Sequence, residues 1–198
     1  KKNIKKFYSK PMITWVISKL IKSKIFDKII VSSDSKKILD ISKKSGVNIL
    51  INRPADLSGD RIATVPVIRH AINELKLNYN YSPEYICCVY PCNPLLFVQD
   101  LIKSLNLLKK NKSKFVFPIT EYGHPIQRAL KIDKVNNLTS FFNKNSLKRT
   151  QDLKKTFHDV GQFYWGTRKQ WKKNINIHAN SSGIVIPNWR VVDIDNLS

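Results

Sequence analysis

The chain has little of what the common phosphate-gripping and redox motifs are made from. Only six glycines occur in 198 residues. Neither a GxxxxGK[ST] loop nor a GxGxxG turn is present, which removes support for P-loop NTPases and dinucleotide oxidoreductases. HExxH, GxSxG and cysteine–histidine zinc spacings are also missing, so zincin, serine-hydrolase and zinc-module readings have no footing. The three cysteines are an odd number, and Cys87 and Cys88 are adjacent inside an apolar run. That pattern reads as reduced, buried thiols of a cytoplasmic protein and not as a disulfide framework. The longest apolar runs, such as 85–90, fall far short of the ~20 residues of a membrane span, and no signal-peptide pattern is visible. No membrane partner is expected.

Acidic residues are scarce too: 14 against 35 basic ones, for a net charge of +21. Such a balance suggests a polyanionic partner. However, 28 of the basic residues are Lys and only 7 are Arg, whereas Arg is the preferred reader of phosphates and bases. The lysines are scattered through helix-like segments, alongside abundant Asn and Ile. The charge therefore reads as solvated lysine, and no nucleic-acid partner is expected. A non-catalytic basic protein that binds nucleic acid remains the alternative from another functional class.

Regular apolar periods are present along the whole length. Met12, Ile13, Val16, Ile17, Leu20 and Ile21 recur at helical spacing, predicting a helix over 11–23 with Pro11 in its first turn. KIIVSS (28–33) reads as a buried strand, 33–46 as a helix stopped by Gly46, and VNILI (47–51) as the next strand. A helix carrying Val67, Ile68, Ala71, Ile72 and Leu75 follows the loop 52–61. YICCVY (85–90), the most uniformly apolar segment, reads as the central strand; a helix over 98–110 and a strand at 114–120 come next. This alternation predicts an α/β fold with a mostly parallel sheet and helices on both faces. Ligands of such sheets sit beyond the carboxyl ends of the strands. From 121 to 160 the alternation gives way to a β-rich excursion. The core resumes with GQFYWG (161–166), a short helix around Trp171, GIVIP (183–187) and RVVDID (190–195). A single domain over 1–198 is expected.

Several groups could carry chemistry. On a strand, Asp193 and Asp195 would project from one face, a hard-oxygen pair suited to Mg²⁺ or simply a polar edge. Arg53 sits on a Pro-fixed loop and could meet a phosphate or a base, or only cap a helix. His158, beside Asp159, could be a general base or half of a surface pair. HPIQRA (124–129) and KRTQD (148–152) each set Arg beside Gln, suited to a ligand carboxylate and hydroxyls.

In order, KKNIKKFYSKPMI, FDKIIVSSDS, RPADLSGD, YPCNPLL, HPIQRAL, KRTQDL, FHDVGQFYWG and VVDID resemble the CMP-sugar-acid synthetases. These are cytidylyltransferases that activate nonulosonic acids such as sialic and pseudaminic acid. The matching stretches run from residue 1 to 195, and HPIQRAL and HDVGQFYWG are most similar to the members acting on pseudaminic acid. The resemblance implies a nucleotide-diphospho-sugar-transferase-like fold, CTP and a nonulosonic acid as substrates, and Mg²⁺ as cofactor. Sialic, legionaminic and Kdo-like acids are the alternative sugars. It also implies nucleotide contacts at Lys2, Asn3, Arg53 and Thr64, with Lys2 catalytic. Metal binding and catalysis fall to Asp193 and Asp195. The sugar-acid pocket would be lined by Tyr90, Gln127, Arg149, Gln151, His158 and Gln162. The excursion 121–160 is implied to be a dimerisation segment, hence a homodimer. The family pattern has a first strand and a GGSKR-type loop ahead of its Lys-Asn, so these 198 residues are expected to lack both. Cys92 and Asn93 stand where the family commonly has small hydroxyl or alanine residues. His158 stands where sialic-acid enzymes tend to have Arg.

Overall fold

The computed structural model describes residues 2–59, 61–111, 113–142, 148–173 and 176–192. A 3₁₀ turn (Lys2–Ile4) leads into β1 (Lys6–Phe7) and β2 (Lys10–Pro11), a short antiparallel ribbon. Pro11 caps α1 (Met12–Ser23), whose buried Met12, Ile13, Val16, Ile17 and Leu20 keep the three- and four-residue spacing of a one-sided helix. Next come β3 (Ile30–Ser33), α2 (Lys36–Lys44), β4 (Ile49–Asn52) and α3 (Thr64–Tyr79). β5 (Tyr85–Val89), α4 (Val98–Lys110) and β6 (Phe115–Glu121) complete the regular alternation. The helix bounds lie close to the apolar periods, but the stripes are buried in part: Ile21 of α1 is exposed, and α3 buries Val65, Ile72 and Leu75 while Val67, Ile68 and Ala71 stay half-buried.

β3 and β4 form a parallel pair. The larger sheet has the order β11-β6-β10-β5, where β10 is Phe163–Thr167 and β11 is Ser182–Val185. β10 runs antiparallel to both β5 and β6, and β11 runs parallel to β6. Thus β5, β6 and β11 share one direction and β10 opposes them. This corrects the reading of YICCVY as the central strand: among the described residues β5 ends the order of this sheet, because β10 pairs between it and β6. β9 (Phe157–Asp159) pairs with the far end of β6, so β9 and β10 follow one line along it. The break between them falls at Gly161, whose φ of +67° an L side chain rarely adopts.

The pleat divides the core. Val116, Phe163 and Trp165 face α1 and α4 and pack with Val16, Leu20, Leu101 and Leu108. Phe115, Phe117 and Tyr164 point the other way, onto Val65 and Ile72 of α3 and Trp171 of α5 (Arg168–Lys172). This alternation along β6 and β10 is the two-residue period of a strand buried on both faces. Helices therefore cover both sides, as the sequence pattern predicts.

The excursion contains β7 (Leu130–Ile132) and β8 (Leu138–Ser140), an antiparallel hairpin that forms its own two-stranded sheet. RVVDID is not a strand at its start, since Arg190 closes a 3₁₀ turn (Asn188–Arg190). Asp193 and Asp195 lie outside the described residues. Among those described, no helix is long and apolar enough to cross a membrane.

Candidate active site

The carboxyl ends of β4 and β5 carry Arg53 and Tyr90, two of the residues singled out from the sequence. At the end of β4, the Arg53 amide donates to Ser33 O of β3 at 3.0 Å. Its guanidinium reaches Ser58 Oγ at 3.3 Å and lies 3.7 Å from Asp34. The side chain is aimed along the strand ends by these contacts and stays partly exposed.

Thr64 opens α3, and its hydroxyl lies 2.7 Å from the phenol oxygen of Tyr90, which follows β5. Burial pushes the Tyr90 phenol above its ordinary pKa, opposed by the hydrogen bond to Thr64. Tyr90 is therefore a neutral phenol at physiological pH.

The YPCNP turn is held from several sides. Asn93 Nδ2 donates to Tyr90 O at 2.9 Å, and Cys92 Sγ donates to Asn3 Oδ1 at 3.1 Å. Lys19 of α1 donates to Pro94 O and Leu96 O at 2.5 and 3.0 Å. Burial first, and the Arg190 guanidinium second, hold the Lys19 ammonium below its usual pKa. Cys92 and Asn93, the two departures from the family pattern, are thus buried supports of the turn. The Cys92–Asn3 contact also ties the Lys2–Ile4 turn to the end of β5.

The remaining site residues divide. His158, on β9 opposite Thr120, has Nδ1 3.0 Å from Asp159 O, so Nδ1 is the donor there. Its ring lies 4.8 Å from that of Tyr122. Gln127, Arg149 and Gln151 lie on two 3₁₀ turns of the excursion. Those turns meet where Arg128 Nη1 donates to Thr150 Oγ1 at 3.1 Å, and Gln127 Nε2 donates to Lys154 O at 2.9 Å. HPIQRA and KRTQD are therefore neighbours, on a segment separate from the Thr64–Tyr90 rim. Gln162 is set further in. It is 2% exposed and its Nε2 donates to Arg190 O at 3.0 Å, so it faces the interior and not a pocket.

Two groupings escaped the sequence reading. Asp100 in the first turn of α4 pairs with the buried Arg190 guanidinium, which also lies 3.8 Å over the Phe97 ring. Asp159 meets Tyr164 and His178. Neither has a local signal: the members are separated by 90 residues in the first case and by up to 19 in the second. Among the described residues no cluster of three or more His, Cys, Asp or Glu could hold a metal ion.

The model of a protein family described as "Cytidylyltransferase" matches residues 1–174 of the chain. Over 198 residues the chain is 36% identical to the pseudaminic acid cytidylyltransferase of Campylobacter jejuni subsp. jejuni serotype O:2, covering 100% of this chain and 85% of that one. A solved CMP:2-keto-3-deoxy-manno-octonic acid synthetase, complexed with CTP, superposes with a TM-score of 0.59 at 12% identity, over 86% of this chain and 69% of that one. The 4-diphosphocytidyl-2C-methyl-D-erythritol synthase of Anaerococcus prevotii superposes with a TM-score of 0.62 at 12% identity, over 97% and 83%. At such identities these two likenesses concern the fold alone.

Proposed function

The chain belongs to the cytidylyltransferase family, and from that premise we propose that it activates pseudaminic acid with CTP, giving the CMP-sugar and pyrophosphate for surface-glycan synthesis. It is a nucleotidyltransferase whose second substrate is a nonulosonic acid. In the reaction the sugar's anomeric hydroxyl oxygen bonds to the α-phosphorus. The phosphoanhydride bond beyond that phosphorus breaks, pyrophosphate leaves, and the hydroxyl proton is released. Little covalent work falls to the protein in such a transfer; positioning and charge neutralisation carry it.

The observation that carries this reading is the 2.7 Å contact between Thr64 and Tyr90. It joins a residue assigned to the nucleotide with one assigned to the sugar acid, so the two substrates would meet at one rim. On this reading Lys2 and Asn3 face the triphosphate, Arg53 and Thr64 the cytidine. Tyr90 and His158 face the sugar acid, with Gln127, Arg149 and Gln151 presented by the excursion. Gln162 acts from behind, by holding Arg190.

Mg²⁺ is the proposed metal, and Asp193 and Asp195 would hold it. Carboxylate oxygens are the hard donors this ion takes, so the donor set fits. When bound, the ion supplies charge neutralisation to the phosphate oxygens. We further propose a homodimer. Leu130, Ile132 and Leu138 are each more than 60% exposed on the β7–β8 hairpin, and a lone two-stranded hairpin is marginal in water. A cytoplasmic setting agrees with the three free cysteines.

Pyrophosphate release measured with CTP, Mg²⁺ and a panel of nonulosonic acids tests the reading. Turnover should need all three components and be fastest with pseudaminic acid. Preference for a sialic, legionaminic or Kdo-like acid would move the sugar assignment, and no release with any of them would remove the function.

A further inference from the structure

Beside Thr64 and Tyr90 the surface dips into a depression of about 350 Å³. Its far wall comes from Tyr164 on β10 and from Asn176, Ile177 and His178, which precede β11. Behind this wall stands Asp159, and its carboxylate is fully engaged. Oδ1 accepts from the Gly161 amide at 2.8 Å. Oδ2 accepts from the Tyr164 phenol at 2.8 Å and lies 2.8 Å from His178 Nε2.

These contacts fix which atoms donate and which accept. An ionised carboxylate can only accept, so His178 Nε2 must carry the hydrogen; in the neutral ring Nδ1 is then an acceptor. Tyr164 has its one hydrogen directed at Asp159, and its buried oxygen also meets the Tyr90 phenol. Burial and the Asp159 charge push the Tyr164 phenol far above its ordinary pKa, so that hydrogen stays in place. Phe117 braces both groups: its ring lies 5.3 Å from the His178 ring, edge-on, and 5.5 Å from the Tyr164 ring. Asn176 Oδ1 accepts from the His178 amide at 2.9 Å and fixes the backbone there. The His178 side chain nevertheless remains 58% exposed, available to a ligand.

Resting on the function proposed above, we infer that Asp159 orients His178 so that, in its neutral ring, Nδ1 accepts from a hydrogen-bond donor, an amide N–H or a hydroxyl, on the sugar acid, with Tyr164 bracing Asp159. His178 is then a specificity-determining residue and Asp159 a positioning residue. Val65 and Ile177 line the same depression as His178 with apolar surface, which suits a donor attached to a small apolar group.

Pseudaminic acid affinity, read both as KM at saturating CTP and by calorimetric titration, tests this in three variants. His178→Phe keeps a ring against Phe117 and removes the nitrogen. Asp159→Asn supplies a donor where only an acceptor stood, and His178→Asn offers an acceptor again. His178→Phe should raise the sugar-acid KM and Kd by about tenfold, the loss of one ordinary hydrogen bond. Asp159→Asn should do likewise, His178→Asn should recover part, and the KM for CTP should not move. An unchanged sugar-acid KM and Kd in His178→Phe overturns the inference, as does a parallel rise in the KM for CTP. Should Asp159→Asn fail to fold, the two variants at the exposed His178 decide alone. If wild-type protein turns over a different nonulosonic acid, the sugar assignment fails and the same ratios are read with that acid. If wild type neither binds nor turns over any of them, both readings fall.

Discussion

Thr64 Oγ1 and Tyr90 Oη lie 2.7 Å apart, joining the start of α3 to the end of β5 across 26 residues. One hydrogen is shared at this contact, so each hydroxyl keeps capacity for a substrate. Thr64→Val and Tyr90→Phe each remove one partner. In kcat/KM, the double variant should cost less than the two single variants added together, with a coupling of about 1 kcal/mol, the net worth of a neutral hydrogen bond. Additive losses in a double-mutant cycle would mean that the two groups act independently.

The Asp100–Arg190 pair is buried on both sides, with side chains 10% and 6% exposed. Asp100→Ala leaves an uncompensated guanidinium inside and should lower stability by about 3–5 kcal/mol in urea unfolding. Replacing both residues, Asp100→Leu with Arg190→Met, should restore much of it, because no buried charge then remains. If Asp193 holds the metal as proposed, Asp100→Ala, which frees Arg190 three residues before it, should reduce turnover as well.

The buried acids make stability fall at high pH. Burial raises Cys88 to about 12 from 9.0 and puts Cys87 well above its ordinary value, and Tyr90 and Tyr164 are raised too. Between pH 9 and 12 the native protein holds protons that the unfolded chain has released. The unfolding free energy therefore declines as pH rises through that window and is steady below it. The urea midpoint should drop progressively above pH 9. Cys87 and Cys88 should resist alkylation at pH 8 until the protein is unfolded, since only the thiolate reacts.

The β7–β8 turn is closed by Asp133. Its Oδ1 accepts from the Val135 and Asn137 amides, both at 2.9 Å, which together hold the carboxyl below its ordinary pKa. If the hairpin seats a second copy, Leu130→Glu with Leu138→Glu should give a monomer by light scattering while the far-UV spectrum is retained. Asp133→Ala should weaken self-association without abolishing it, because it loosens the turn and leaves the apolar faces intact. An unchanged mass in the double glutamate variant would rule the hairpin out as the contact.

Much was legible locally. α4 lies over the span that its leucine spacing predicts, and α1 begins next to Pro11. These follow from rules that act within a few residues: one apolar stripe, one cap, one residue that cannot continue a helix. The loops after β4 and β5 were legible as strand-end loops, the place where ligands of such sheets sit. The burial of Gln162 was not legible in its motif, because its partner Arg190 lies 28 residues away.

By itself, then, the sequence determined the succession of helices and strands, the two-faced core and the membership of a family whose motifs lie in register along the chain. Only the tertiary structure decided that β10 enters antiparallel between β5 and β6, that Arg190 finds Asp100, and that His178 finds Asp159. Apolar periodicity is a local property, set by the helical or strand repeat. The partner of a charged or hydrogen-bonding group is chosen by where distant backbones are packed, and by the cost of leaving that group buried and unpaired.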